Sequence, residues 1–238
     1  MGMSMRLSAF ILLRDRERYW SRVGQGDWTW LDMVSLALFV MVSCGAYGMV
    51  LAGARSWELS LYVAVKLPVL FMATTLMVSV FNWMLALILG AGMNYRTTLL
   101  MALTSMTLAG WILLGLIPVV VLFVGTGMVY VGPHDVLRYA HNSMLVTHIL
   151  VLAAAGAAGN LVLLGGLKRL LPARCPAEPL FVFWVCSYAF VGCQLAWILR
   201  PFVGSPFYDV AFLRPDCLDR NFYEFVFREV MPYLINGG

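Results

Sequence analysis

The sequence predicts an all-α, polytopic membrane protein. It reads as a bundle of about five transmembrane helices, with an interfacial amphipathic helix before it and an amphipathic C-terminal tail behind it. Three observations carry that prediction. Of 238 residues, 62% are apolar and only 12% charged, against about 45–50% and about 25% in an ordinary soluble domain. Mean hydropathy is +0.85. The apolar residues also lie in continuous runs rather than in the alternation of a membrane barrel, and a bilayer core of about 30 Å needs about 20 of them in a helix.

The chain divides at residues 30 and 199. Residues 1–30 interleave Phe10, Ile11, Leu12, Leu13, Tyr19 and Trp20 with Arg6, Arg14, Arg16, Arg18 and Arg22, the pattern of a helix lying at the headgroups. The run Ala9–Leu13 is too short for a cleavable signal, and Arg6 stands where a myristoylation signal wants Ser or Thr. Residues 31–199 hold the five predicted spans: Leu31–Gly53, Leu61–Leu89, Thr98–Val124, Ser143–Gly166 and Leu180–Leu199. Each must be helical, because lipid offers no partner to a free backbone group. Pro68 and Pro118 are expected to bend the second and third. Residues 200–238 begin with Pro- and Gly-broken turns. Phe222, Phe225, Val226, Val230 and Tyr233 then share one helical face over Asn221–Ile235.

Positive charge sets the expected orientation. The N-terminal arginines, Arg96, Lys168, Arg169 and Arg174 fall on one side, whereas Arg55 and Arg138 sit in the two short loops opposite. A bacterial inner membrane with the N-terminus cytoplasmic and the C-terminus outside is the expected placement. A net charge of +4 spread over the whole chain is no nucleic-acid footprint, and no nucleic-acid partner is expected.

Chemistry is sparse. None of the 12 carboxylates lies at the centre of a span, which counts against a proton-driven carrier. Asp32 falls in the first turn of span one, where a helix N-terminus favours an anion. The five cysteines form no CxxC or metal-ligand spacing, and no metal site is expected. Lys66 is the one charge well inside a run, placed either to snorkel to the interface or to contact an ion or lipid. Asn82, Asn160 and Gln194 are the strong polar groups in the spans; such groups usually hydrogen-bond between helices. Asn82 and Gln194 are retained with Lys66 and Arg200 as candidate ligand, ion or lipid contacts. The histidines His134, His141 and His148 recur every seven residues, which returns each to nearly the same helix face with a drift of about 20°. At about 10.5 Å per seven residues they cannot share one metal ion, so His141 and His148 are read as polar packing groups first and haem ligands second. Small residues mark two packing faces: Gly45 and Gly48 on span one, and Ala155, Gly156 and Gly159 on span four. Gly24-Gln25-Gly26-Asp27 matches the GxGD string of intramembrane aspartyl proteases, but the partner aspartate in another span is missing. No catalytic residue is assigned.

Two stretches carry a resemblance. Phe81-Asn82-Trp83 through Gly90, then Tyr95-Arg96-Thr97-Thr98 and the following span with Pro118, resemble the middle of bacterial Yip1-like five-span membrane proteins. Trp197-Ile198-Leu199-Arg200-Pro201-Phe202-Val203-Gly204-Ser205-Pro206, with Asn221-Phe222-Tyr223-Glu224 behind, resembles the tail of uncharacterised bacterial inner-membrane proteins. The likeness implies a five-helix bundle and brings no catalytic residues with it. The expected function is a non-enzymatic scaffold or subunit of a larger membrane assembly, contacting lipid and either other subunits or itself through the small-residue faces. A homo-oligomeric channel or carrier, lined by Lys66, Asn82, Gln194 and the histidine stripe, is the first alternative. A redox subunit with haem near His141 or His148 is the second; otherwise no cofactor is expected.

Overall fold

The computed structural model describes residues 8–53, 55–125, 134–173, 175–200, 210–213, 217–219 and 221–231, with the side chains of 123–145, 229 and 230 outside that description. The fold is an all-α bundle: α1 (Ala9–Arg14), α2 (Arg16–Gln25), α3 (Trp30–Gly53), α4 (Trp57–Ile88), α5 (Tyr95–Gly125), α6 (His134–Leu170), α7 (Ala177–Leu199) and α8 (Phe222–Phe225), the last running into a π-helical turn at Val226–Val230. Five of these helices are long and apolar enough to cross a membrane: α3, α4, α5 to Leu122, α6 from Val146, and α7. This is a multi-pass membrane protein.

The long helices begin before their apolar runs because polar capping turns precede the hydrophobic residues. The Asp32 carboxylate closes the first turn of α3, accepting from the Thr29 backbone N–H at 2.6 Å and the Thr29 hydroxyl at 2.9 Å. Ser56 caps α4 by accepting from the Leu59 amide at 3.1 Å. The Asn94 side chain accepts from the Thr97 amide at 2.8 Å at the start of α5. Pro68 and Pro118 both lie inside continuous helices.

In the bundle α3 lies along both α4 and α5, α6 packs on α5, and α7 packs mainly on α4. Glycines set how closely the axes approach. A Cβ on Gly48 would stand 2.9 Å from the Val63 carbonyl oxygen, and one on Gly45 3.1 Å from that of Ala64. Gly159 seats α6 on α5 in the same way, its Cβ position 2.7 Å from the Ser105 carbonyl oxygen. The small residues of span one thus serve the α3–α4 crossing, and part of those on span four serve α5–α6. Close backbone approach is how membrane helices gain packing energy when lipid supplies no hydrophobic driving force between them.

The N-terminal segment is helical, in two pieces broken at Asp15, and it is keyed into the bundle. Asp15 ends α1 and caps α2, its carboxylate accepting from the Arg18 amide at 3.1 Å. Leu12, Tyr19, Trp20 and Val23 are buried in one core with Leu100, Met101 and Leu167. The Trp111 indole, halfway along α5, donates to the Ala9 carbonyl at 3.0 Å. The Tyr19 hydroxyl meets the Thr104 hydroxyl at 2.6 Å, and burial raises the Tyr19 phenol pKa well above its usual value. The apolar face of this amphipathic segment packs on protein, where Gly166 leaves a notch that the Trp20 ring fills.

Outside the core one ion pair ties the same arm to α6. The Arg169 guanidinium donates to Glu17 at 2.7 and 2.5 Å and holds its carboxyl pKa below the usual glutamate value. A carboxyl with a lowered folded pKa contributes stability above its unfolded value and loses it as pH falls through the folded one. Proteolysis of the arm is therefore expected to accelerate as acidification carries the pH below the ordinary glutamate range. Glu17→Gln should show the fast rate at neutral pH and no further acid response. The pair is exposed, so raised salt should weaken it too.

Candidate functional site

Most of the polar groups singled out in the sequence hold the chain to itself. Lys66 is buried, with its ammonium 5.2 Å from the centre of the Phe212 ring, and Phe212 also packs edge-on against Tyr62 at 5.4 Å. The tail thus covers Lys66. The Gln194 side-chain oxygen accepts from the Phe222 amide at 3.1 Å, pinning α8 beside α7. Arg200 ends α7 in the left-handed region at φ 42°. Its Nε donates to the Trp197 carbonyl at 3.2 Å and its guanidinium lies 4.8 Å from the Trp197 ring, which in turn packs against Phe225 at 5.0 Å. His148 is fully buried between α3 and α6, its Nδ1 3.2 Å from the Tyr47 hydroxyl and its ring stacked on Tyr47 at 5.7 Å. The His141 side chain lies outside the described residues, as do those of Val230 and Tyr233. Among the described residues no three His, Cys, Asp or Glu side chains gather as a metal site.

Gly24-Gln25-Gly26-Asp27 has a local use. Gly26 caps α2 at φ 72°, and Asp27 pairs with Arg22 at 2.9 Å.

Asn82 is different. It lies near the C-terminal end of α4, 3% exposed, and its side-chain oxygen has no hydrogen-bond partner. It lines a cavity of about 240 Å³ walled by α4, α5, α6 and α7. Trp184, 2% exposed and about two turns into α7, lines the same cavity, and its indole N–H also lacks a partner. Ser105, Asn160 and the Tyr188 hydroxyl add polar character to the wall. Tyr188 is already engaged, at 2.5 Å to the Thr75 hydroxyl and 3.2 Å to the Phe71 carbonyl. An unmet buried donor or acceptor costs about 1–3 kcal/mol, and hydrocarbon gives it no water to fall back on. Two residues on different helices, one with an acceptor and one with a donor that no protein group meets, therefore line one cavity. The sequence pointed to Asn82 and Asn160. It did not single out Trp184, although a tryptophan in mid-span carries an N–H that needs a partner.

Compared with family models, curated proteins and solved structures, the chain matches none.

Proposed function

We propose that this protein is a non-enzymatic subunit or scaffold of a larger membrane assembly. The supporting observation is a second small-residue face on α6. While Ala155 and Gly159 are buried in the bundle, Ala153, Ala154 and Ala157 are exposed on the outside of the same helix. Ala153 and Ala157 stand one turn apart, the spacing at which a neighbouring transmembrane helix approaches most closely. The occupant of this face is a helix of another subunit. The membrane is a bacterial cytoplasmic one with the N-terminus inside, a placement favoured by Arg14, Arg16, Arg18, Arg22, Arg96, Lys168 and Arg169, which the alternation of the five spans assigns to one side.

Native mass spectrometry after gentle extraction should return this chain bound to different subunits. The double substitution Ala153→Leu/Ala157→Leu should release it from them, with helicity and the thermal midpoint of the isolated chain unchanged, because those positions face outward. Recovery of the wild-type chain alone, or of the same complex from the variant, would refute the proposal.

A further inference from the structure

We propose that the cavity bordered by Asn82 and Trp184 is a binding site for an uncharged, hydroxyl-bearing hydrocarbon ligand drawn from the membrane. Three features point to that chemistry. The two unmet atoms are complementary: the Asn82 oxygen needs a donor, and the Trp184 N–H needs an acceptor. A hydroxyl is both. The lining contains no charged side chain, so an ionised headgroup would enter without a counter-charge in a low-dielectric wall. Most of the remaining wall is apolar, as at Phe71, Met106 and Leu163, which suits a hydrocarbon body.

Access follows from the helices. The bundle is loosest between α6 and α7, where Gly156 has no neighbour within 4 Å of a Cβ position, Asn160 is half-buried and Ala189 is exposed. The cavity therefore opens sideways into lipid, and its occupant arrives by partition from the bilayer. About 240 Å³ exceeds the roughly 150 Å³ apolar cavity that holds a benzene ring. It accommodates a hydroxyl and the first part of a chain, with the rest trailing between α6 and α7. Water is the competing occupant. A water molecule takes about 30 Å³ and wants 2–4 polar partners, so it satisfies the polar corner and leaves the apolar walls unfilled.

The test uses the purified chain in lipid nanodiscs and a diazirine-bearing long-chain alcohol, with the photoreactive group next to the hydroxyl. Saturable labelling is expected on the peptides carrying Gly156–Leu163 and Trp184–Ala189. It should be displaced by 1-dodecanol and not by dodecanoate or dodecane. Asn82→Leu/Trp184→Phe should reduce it at least tenfold while the thermal midpoint holds or rises, because two unmet polar groups are gone. Gly156→Leu, which fills open space, should also abolish it with both polar groups in place. Labelling that never saturates, spreads evenly over the lipid-facing helices, persists in both variants, or is displaced equally by dodecanoate would overturn the assignment. Water as the sole occupant would appear as absence of saturable labelling, and that result overturns it too.

Discussion

Leucine in place of Gly48 is expected to collapse the α3–α4 crossing, whereas the same substitution at Gly115 should leave the protein almost unchanged. Both glycines lie inside long apolar helices, and they differ only in what surrounds them. A Cβ on Gly48 would sit 2.9 Å from a backbone oxygen of α4 and 3.1 Å from a Val63 methyl, while one on Gly115 meets nothing within 4 Å. Backbone cannot swing aside as a flexible side chain can. The helices must then separate, and the neighbouring close approach at Gly45 goes with them. Overpacking in a tight core costs about 1–3 kcal/mol and sometimes more, and Gly48→Leu belongs at the upper end or beyond. Against a total stability of about 5–15 kcal/mol, that is a large loss. Thermal unfolding in detergent measures it. Gly115→Ala should be neutral to stabilising, since an exposed helical glycine is about 0.5–1 kcal/mol worse than alanine. Equal losses at positions 48 and 115 would show that the crossing does not depend on close approach.

Trp20→Ala is expected to release the N-terminal arm. Trp20 is 6% exposed and fills the notch that Gly166 leaves on α6, which Met101 of α5 also borders. Removing a buried tryptophan typically costs about 3–5 kcal/mol. The ion pair at Glu17 is exposed and cannot replace that contact. The arm between residues 8 and 25 should become protease-sensitive while the five long helices persist, as seen by circular dichroism. Gly166→Leu should give the same phenotype with Trp20 intact, because the leucine occupies the space of the indole ring. The double variant should lose much less than the sum of the two, the signature of one shared contact. Additive losses would mean that ring and notch act separately.

The five spans were legible because hydrocarbon imposes a length and a composition that no folding detail can override. Their starts were less so: α4 and α5 open on capping turns at Ser56 and Asn94, which are polar and fall outside any hydropathy window. The fate of the N-terminal helix was ambiguous for a different reason. Leu12, Tyr19 and Trp20 make an apolar face that suits lipid and protein equally, and only the notch at Gly166 decides between them. The same holds for the candidate contacts. Sequence marks Lys66 and Gln194 as unusual, but Phe212 and Phe222 engage them, and pairing over such separations cannot be read from local pattern.

What the sequence determined alone is therefore the environment and the class of fold: a multi-pass helical bundle, with glycines and alanines spaced for close helix contact. Burial of apolar residues in a membrane depends on composition and period, which are properties of the chain itself. Tertiary structure decided which small faces are filled within the bundle, at Gly45, Gly48 and Gly159, and which is left outward, at Ala153 and Ala157. It also decided which polar groups find partners and which, at Asn82 and Trp184, are left without one beside a cavity. Those outcomes depend on distances between helices far apart in sequence, and such distances exist only once the helices have packed.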